Sequence, residues 1–242
     1  MSTVYLVRHG QAGTRDDYDS LSELGRRQAR LLGEYIAGQQ MRFAAAYAGG
    51  MSRQLQTAEE VRKAYMQAGG TFPEIKVERQ WNEFDLGFLY EKVAPRLCSS
   101  DPQFKIEYDR MREQVRASGG AASAEIHRKW QPCDSMLVQA WIKGGHAHGG
   151  ETWEEFCARI AGCRELIPDS DPQANVIVFT SATPVAIWTG LALEIFDERI
   201  MNLAGVLYNT SFTTLKLRGE QLRLFTFNAI PHLTSADLRT HR

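Results

Sequence analysis

Arg8, His9 and Gly10 follow the short apolar run Val4 to Val7, and these three residue types side by side suit the handling of a phosphoryl group. A neutral imidazole is a nucleophile for phosphorus, and an adjacent guanidinium can hold two of the equatorial oxygens. Gly10 lets the backbone turn and approach a bound group without a Cβ clash. A lone Arg-His-Gly also suits a surface turn, so the reading depends on whether the chain supplies the rest of an anion site. Arg53 is one candidate, because it opens a predicted helix whose positive end favours an anion. An alkoxide leaving near neutral pH needs a proton donor, and the rival carboxyls Glu83 and Asp85 follow the third predicted strand. Ser181, Ala182 and Thr183 lie between a predicted strand and a predicted helix, where hydroxyls and a helix N-terminus can hold phosphate oxygens. His146 and His148 have no third ligand at suitable spacing, which favours a solvated loop, and no metal or other cofactor is expected.

The elements that must position these residues read as an alternation of strands and helices. Val4 to Val7 is a β-branched and aromatic strand buried on both faces. Ser22 is the expected N-cap of a helix with Leu24, Gln28, Leu31, Leu32, Tyr35 and Ile36 at helical spacing. Phe43 to Tyr47 and Glu74 to Glu78 read as strands, with a helix to about Gln67 between them. Helices are expected around 104–115, 126–130, 136–142 and 152–167, the last capped by Thr152 or Glu151. NVIVFT, residues 175–180, is a buried parallel strand, and an apolar helix with Pro184 in its first turn follows it. Residues 209–217 and 221–227 form a hairpin through Gly219.

A chain of 242 residues with 43% hydrophobic content can bury one substantial core, and its formal charge of -1 gives no broad basic field for nucleic acid or anionic membranes. There is no signal-peptide pattern, and no apolar run reaches the roughly 18 to 20 residues of a membrane span, so a soluble cytoplasmic protein is expected. Cys98, Cys133, Cys157 and Cys163 form no C-x-x-C pair and read as reduced, buried thiols. A homodimer is compatible with the sequence, which does not fix the oligomeric state.

The segment resembles the histidine phosphatase superfamily, the phosphoglycerate mutase-like proteins, at several motifs in order. Arg8-His9-Gly10 ends the first strand, Leu21, Ser22, Gly25, Gln28 and Ala29 match L-[ST]-x-x-G-x-x-Q-A, and Arg53 precedes Thr57-Ala58 by one turn. Glu83 and Gly87 fit E-x-x-x-G, Gly150-Glu151-Thr152 opens a helix, and Asn228, His232 and Leu233 resemble an N-x-x-x-H-L ending. The resemblance covers residues 3–89 and 151–233. It implies a three-layer α/β/α sandwich with a mostly parallel sheet, one domain over 1–242, and a substrate-selecting helical insertion over 91–150. It implies a metal-independent phosphomonoester hydrolase acting on a small phosphorylated substrate through a phosphohistidine on His9, with Glu83 as acid. Arg8, Gly10, Arg53, Ser181, Ala182 and Thr183 would then face the phosphate, and His232 would pack or cover the pocket rim. One position departs from the pattern: the family's Ser-His-Gly is here Ser181-Ala182-Thr183, so the second histidine is an alanine. Losing such a donor costs on the order of 100- to 1,000-fold in rate. A weakened phosphatase, a site completed by His146, His148 or His232, a non-catalytic phospholigand-binding module and a mutase-type phosphotransferase are the alternatives this leaves.

Overall fold

The structure, a computed structural model, describes residues 2–121, 124–144, 149–167, 175–195, 199–219 and 221–241. In chain order the main elements are β1 (Ser2–Arg8), α1 (Glu23–Gly38), β2 (Ala45–Ala48), α2 (Ser52–Gln67), β3 (Ile75–Val77), α3 (Leu86–Lys92), α4 (Ala94–Ser100) and α5 (Pro102–Ala117). They continue as α6 (Pro132–Ile142), α7 (Trp153–Gly162), β4 (Asn175–Thr180), α8 (Ala182–Leu193), α9 (Arg199–Val206), β5 (Phe212–Arg218) and β6 (Gln221–Ala229). Two compact units result: one of Met1–Ala12, Asp17–Glu83 and Ile160–Arg242, the other of Gly13–Asp16 and Phe84–Arg159.

The first unit is built on a six-stranded sheet of order β3-β2-β4-β1-β5-β6. β3, β2, β4 and β1 pair in parallel, and β5 and β6 add an antiparallel edge. β1 is interior, as its apolar residues require. Its side chains alternate: Val7 faces a cluster with Ala46, Ala48, Ile177 and Phe179 from the neighbouring strands, closed by Ala29, Leu32 and Ile36 of α1 and Ala58, Val61 and Tyr65 of α2. On the other face α8 packs against β1, β5 and β6 and carries α9 with it. This is the expected three-layer sandwich. α8 is buried from Thr183 to Gly190, and its residues are apolar all round, as a helix enclosed by its neighbours demands.

α1 begins where Ser22 accepts the Gly25 amide at 3.0 Å. The α7 start is a reciprocal cap, with Thr152 Oγ1 accepting from the Glu155 amide and Glu155 Oε2 accepting from the Thr152 amide. That helix ends at Gly162, short of the expected 167, and a tighter 3-10 turn over Cys163–Leu166 completes it. β5 starts at Phe212 instead of residue 209, because Asn209, Thr210 and Ser211 are drawn into a buried turn described below.

The second unit is helical and runs over Phe84–Arg159 with Gly13–Asp16; α3 begins ahead of residue 91, and α4 lies inside the expected 91–150. Their sequence hides them: Asp85 acts as N-cap to α3, accepting the Phe88 amide at 2.9 Å, and Pro95 opens α4. Phe104, Met111 and Trp141 are buried within it, while Trp130 is exposed and donates to Ser135. Its polar centre is Asp134, fully buried, which accepts from both Arg15 guanidinium ends, from the Tyr90 hydroxyl at 2.5 Å and from the Gln131 amide at 2.7 Å. Burial and the Asp134 charge push the Tyr90 phenol far up. The four cysteines are free thiols, but only Cys133 and Cys163 are buried, and Cys98 and Cys157 are half-buried, a correction to the expectation for those two. No helix among the described residues is long and apolar enough to cross a membrane.

Candidate active site

Four parallel strands point their carboxyl ends the same way, and the segments leaving them supply the site. Each end is tied to its neighbour: the His9 amide donates to Thr180 O at 2.8 Å, the Gly49 amide to Phe179 O at 3.0 Å and the Glu78 amide to Ala48 O at 2.8 Å. His9 from β1, Arg53 after β2, Glu83 after β3 and Ser181 to Thr183 after β4 are thereby carried to one sheet edge.

His9 is 2% exposed. Its Nδ1 lies 2.7 Å from Gly10 O, and a carbonyl only accepts, so Nδ1 carries the proton. The Nε2 lone pair is then the reactive one, and Arg53 Nε donates to it at 3.2 Å. Burial pushes the imidazole pKa well below 6.5, the Arg53 and Arg8 charges push it further, and the Gly10 carbonyl opposes them. His9 is a neutral imidazole with a fixed tautomer.

Arg53 occupies the first turn of α2 and is 5% exposed. The Thr57 hydroxyl donates to Arg53 O at 2.6 Å and accepts the Gly10 amide at 3.0 Å, so one side chain fastens the α2 turn to the nucleophile loop. The Gly10 amide is thus spent on Thr57. Its missing Cβ also serves a different purpose from the expected one, since an added Cβ would meet Gly25 O of α1 at 2.5 Å, not a bound group.

Arg8 likewise departs from its expected part. Its Nη1 donates to Leu207 O, and its Nη2 donates to His241 O at 2.6 Å, so its fork grips the carboxyl-terminal backbone while its charge still acts on His9. Glu83 Oε2 accepts the Thr183 amide at 3.0 Å, which puts the carboxyl on the α8 N-terminus beside Ala182. Asp85, the rival acid, caps α3. Ser181 Oγ accepts from Gln54 Nε2 at 2.9 Å and is buried, Thr183 gives its amide to Glu83, and Ala182 is partly exposed. His232 is buried, with Nε2 2.9 Å from Thr210 Oγ1 and its pKa pushed down to about 4 by burial. His146 and His148 lie outside the described residues.

Several site residues carry no sequence signal. Thr210 sits at φ 57 and gives its amide to Arg8 O at 3.0 Å and His9 O at 3.3 Å, while Asn209 Nδ2 donates to His9 O at 3.1 Å. Asn209 is held in turn by Thr240, whose hydroxyl donates to its side chain and whose carbonyl accepts its amide. Asp19 Oδ1 accepts from Arg53 Nη1 at 2.9 Å, and Gln54 links Ser181 to Trp81 O. Asp19 lies in the loop with Asp16 and Asp17, and these acidic residues are a sequence feature that bears on a partner for a buried cation.

The model of the histidine phosphatase superfamily (branch 1) matches residues 4–141 and 134–230. The serine/threonine-protein phosphatase Pgam5, mitochondrial, of Caenorhabditis briggsae is 28% identical over 99 residues, 36% of this chain and 35% of that protein. The match therefore spans about a third of the length of the curated relative. Among solved structures, Bacillus stearothermophilus YhfR superposes with a TM-score of 0.65 at 19% identity, covering 96% of this chain and 100% of the other. The phosphoglycerate mutase from Bacillus anthracis str. Sterne gives 0.59 at 16% identity, covering 96% and 95%. At such identities these two likenesses speak for the fold alone.

Proposed function

Because the chain belongs to the histidine phosphatase superfamily, we propose that it is a metal-independent phosphomonoester hydrolase that works through a phosphohistidine on His9. The observation that carries the reading is the His9 imidazole, neutral, fixed with its proton on Nδ1 and presenting the Nε2 lone pair 3.2 Å from the Arg53 guanidinium.

In the first step the Nε2 lone pair forms the N–P bond while the P–O bond to the leaving group breaks, and the carboxyl proton of Glu83 passes to the departing alkoxide. In the second, Glu83 takes a proton from water, the water oxygen bonds to phosphorus, and the N–P electrons return to His9 as inorganic phosphate leaves. Arg53 and the α2 N-terminus stabilise charge on the phosphoryl oxygens, so placement and electrostatics supply most of the catalysis. Arg8 supports the site through its field and through its grip on the carboxyl-terminal backbone. The substrate is a small phosphorylated molecule, and free thiols suit a cytoplasmic setting.

Ala182 favours a second reading, a phospholigand-binding module, because it takes the family's second imidazole away from the α8 N-terminus. Hydrolysis of phenyl phosphate by the native protein, His9→Ala and Ala182→His separates the two. Turnover lost with His9 and raised by Ala182→His supports the phosphatase; orthophosphate binding without turnover in the native protein supports the binding module.

A further inference from the structure

We propose that Asp19 is an internal competitor for the phosphoryl site: its carboxylate holds Arg53 until a phosphoryl group displaces it, and this sets the charge a ligand must bring. The inference rests on the phosphoryl-site reading of His9 and Arg53.

Three contacts define the arrangement. Asp19 Oδ1 accepts from Arg53 Nη1 at 2.9 Å, Asp19 Oδ2 accepts the amide of Ser52, the first residue of the 16-residue helix α2, at 3.1 Å, and the Tyr18 ring lies 4.9 Å from Arg53 Cζ. One carboxylate therefore takes a guanidinium N–H and a first-turn amide together, the same pair of donors that two phosphoryl oxygens would use. Arg53 reaches His9 with its Nε and Asp19 with its Nη1, so the guanidinium bridges the nucleophile and the carboxylate.

Burial shows which partner yields. The Arg53 side chain is 6% exposed and that of Asp19 is 55% exposed. A half-exposed carboxylate recovers its hydration when it swings out, so its release costs little, whereas the buried Arg53 guanidinium is held by its bond to His9 Nε2. A phosphomonoester brings a charge of about −1.5 to −2 against the single charge of Asp19. A dianion wins the exchange; a singly charged ester has no such advantage. Glu83 differs from Asp19 in that its Oε2 accepts the Thr183 amide at the start of α8.

The test uses the full chain, with orthophosphate binding measured by calorimetry and phenyl phosphate hydrolysis followed at the same pH. Asp19→Asn removes the charge at constant shape, and Asp19→Ser removes the reach as well. The expected result is orthophosphate bound about three- to fivefold more tightly by both variants, with a matching fall in KM. Unchanged or weaker binding in both variants, with the native protein still binding orthophosphate, overturns the proposal and makes Asp19 an aid to Arg53. If native protein and variants all fail to bind orthophosphate and His9→Ala hydrolyses phenyl phosphate like the native chain, the phosphoryl-site reading itself falls, and this inference with it.

Discussion

The lone pair on His9 Nε2 carries no proton at neutral pH and accepts from Arg53 Nε instead, because protonating it would place a third cation beside Arg53 and Arg8 in a buried site. With the folded-state pKa below 6.5, the nucleophile stays neutral as the pH falls through 6.5. Accordingly, kcat/KM for phenyl phosphate, corrected for the substrate's own ionisation, should hold as the pH falls through 6.5 and decline only at lower pH. A half-loss centred at 6.5 would show an unperturbed imidazole. Ala182→His should raise kcat by about 100-fold, since it restores a donor where negative charge develops. Steady-state kinetics of that one variant checks it. At this scale the placement of His9, Arg53 and Glu83 beyond the strand ends was legible because each lies inside a local strand-turn-helix pattern. Asp19, Gln54, Asn209 and Thr210 were not, because their partners lie 34, 127, 200 and 201 or more positions away and are reached only by tertiary closure. Arg8 was legible as a cation but not as a clamp on the carboxyl-terminal backbone.

Among the elements, the meeting of the β1 loop with α1 leaves the least tolerance. A Cβ on Gly25 would lie 2.2 Å from Gln11 O and 2.8 Å from Gln11 N, and both obstacles are backbone. Gly25→Ala should therefore destabilise the fold by about 1–3 kcal/mol or more and weaken orthophosphate binding, because relief of the clash must shift either α1 or the segment that carries His9. Thermal unfolding and calorimetry on the variant measure both effects; a Tm within a degree of the native value would contradict the packing. Strand and helix positions in this part of the chain followed from periodicity, which works where one face is buried. It failed at α3 and α4, whose short helices begin from an Asp cap and a proline and carry only one or two buried residues each. It also extended β5 backward over Asn209 to Ser211, where side-chain bonding to the His9 turn overrides the extended pattern.

Across the whole molecule, acid should unfold the protein early. His9, His232 and His241 all have pKa values lowered by burial, so below 6.5 the unfolded chain binds more protons than the folded one, and stability falls as the pH drops. His232 alone, displaced from 6.5 to about 4, contributes a loss on the order of 3 kcal/mol by pH 4. Chemical denaturation between pH 7 and pH 4 should show the loss beginning near 6.5, and His232→Gln should lessen it. In the second unit, Asp134→Ala leaves Arg15 and Tyr90 facing a vacated buried site and should cost about 3–5 kcal/mol of that unit's stability, readable by hydrogen exchange over α3 and α6. The sandwich was legible in the order of strands and helices. The two-unit division was less so, because residues 13–16 join the helical unit through Arg15, a contact no local pattern announces.

The covalent step is the most direct test of the account. Phenyl phosphate mixed with the native protein and quenched in base within the first turnover should yield one acid-labile phosphoryl group on His9, located by mass spectrometry of the proteolysed chain and absent from His9→Ala. Hydrolysis at the native rate by His9→Ala, or steady turnover with no phosphorylated His9 at any quench time, would contradict it.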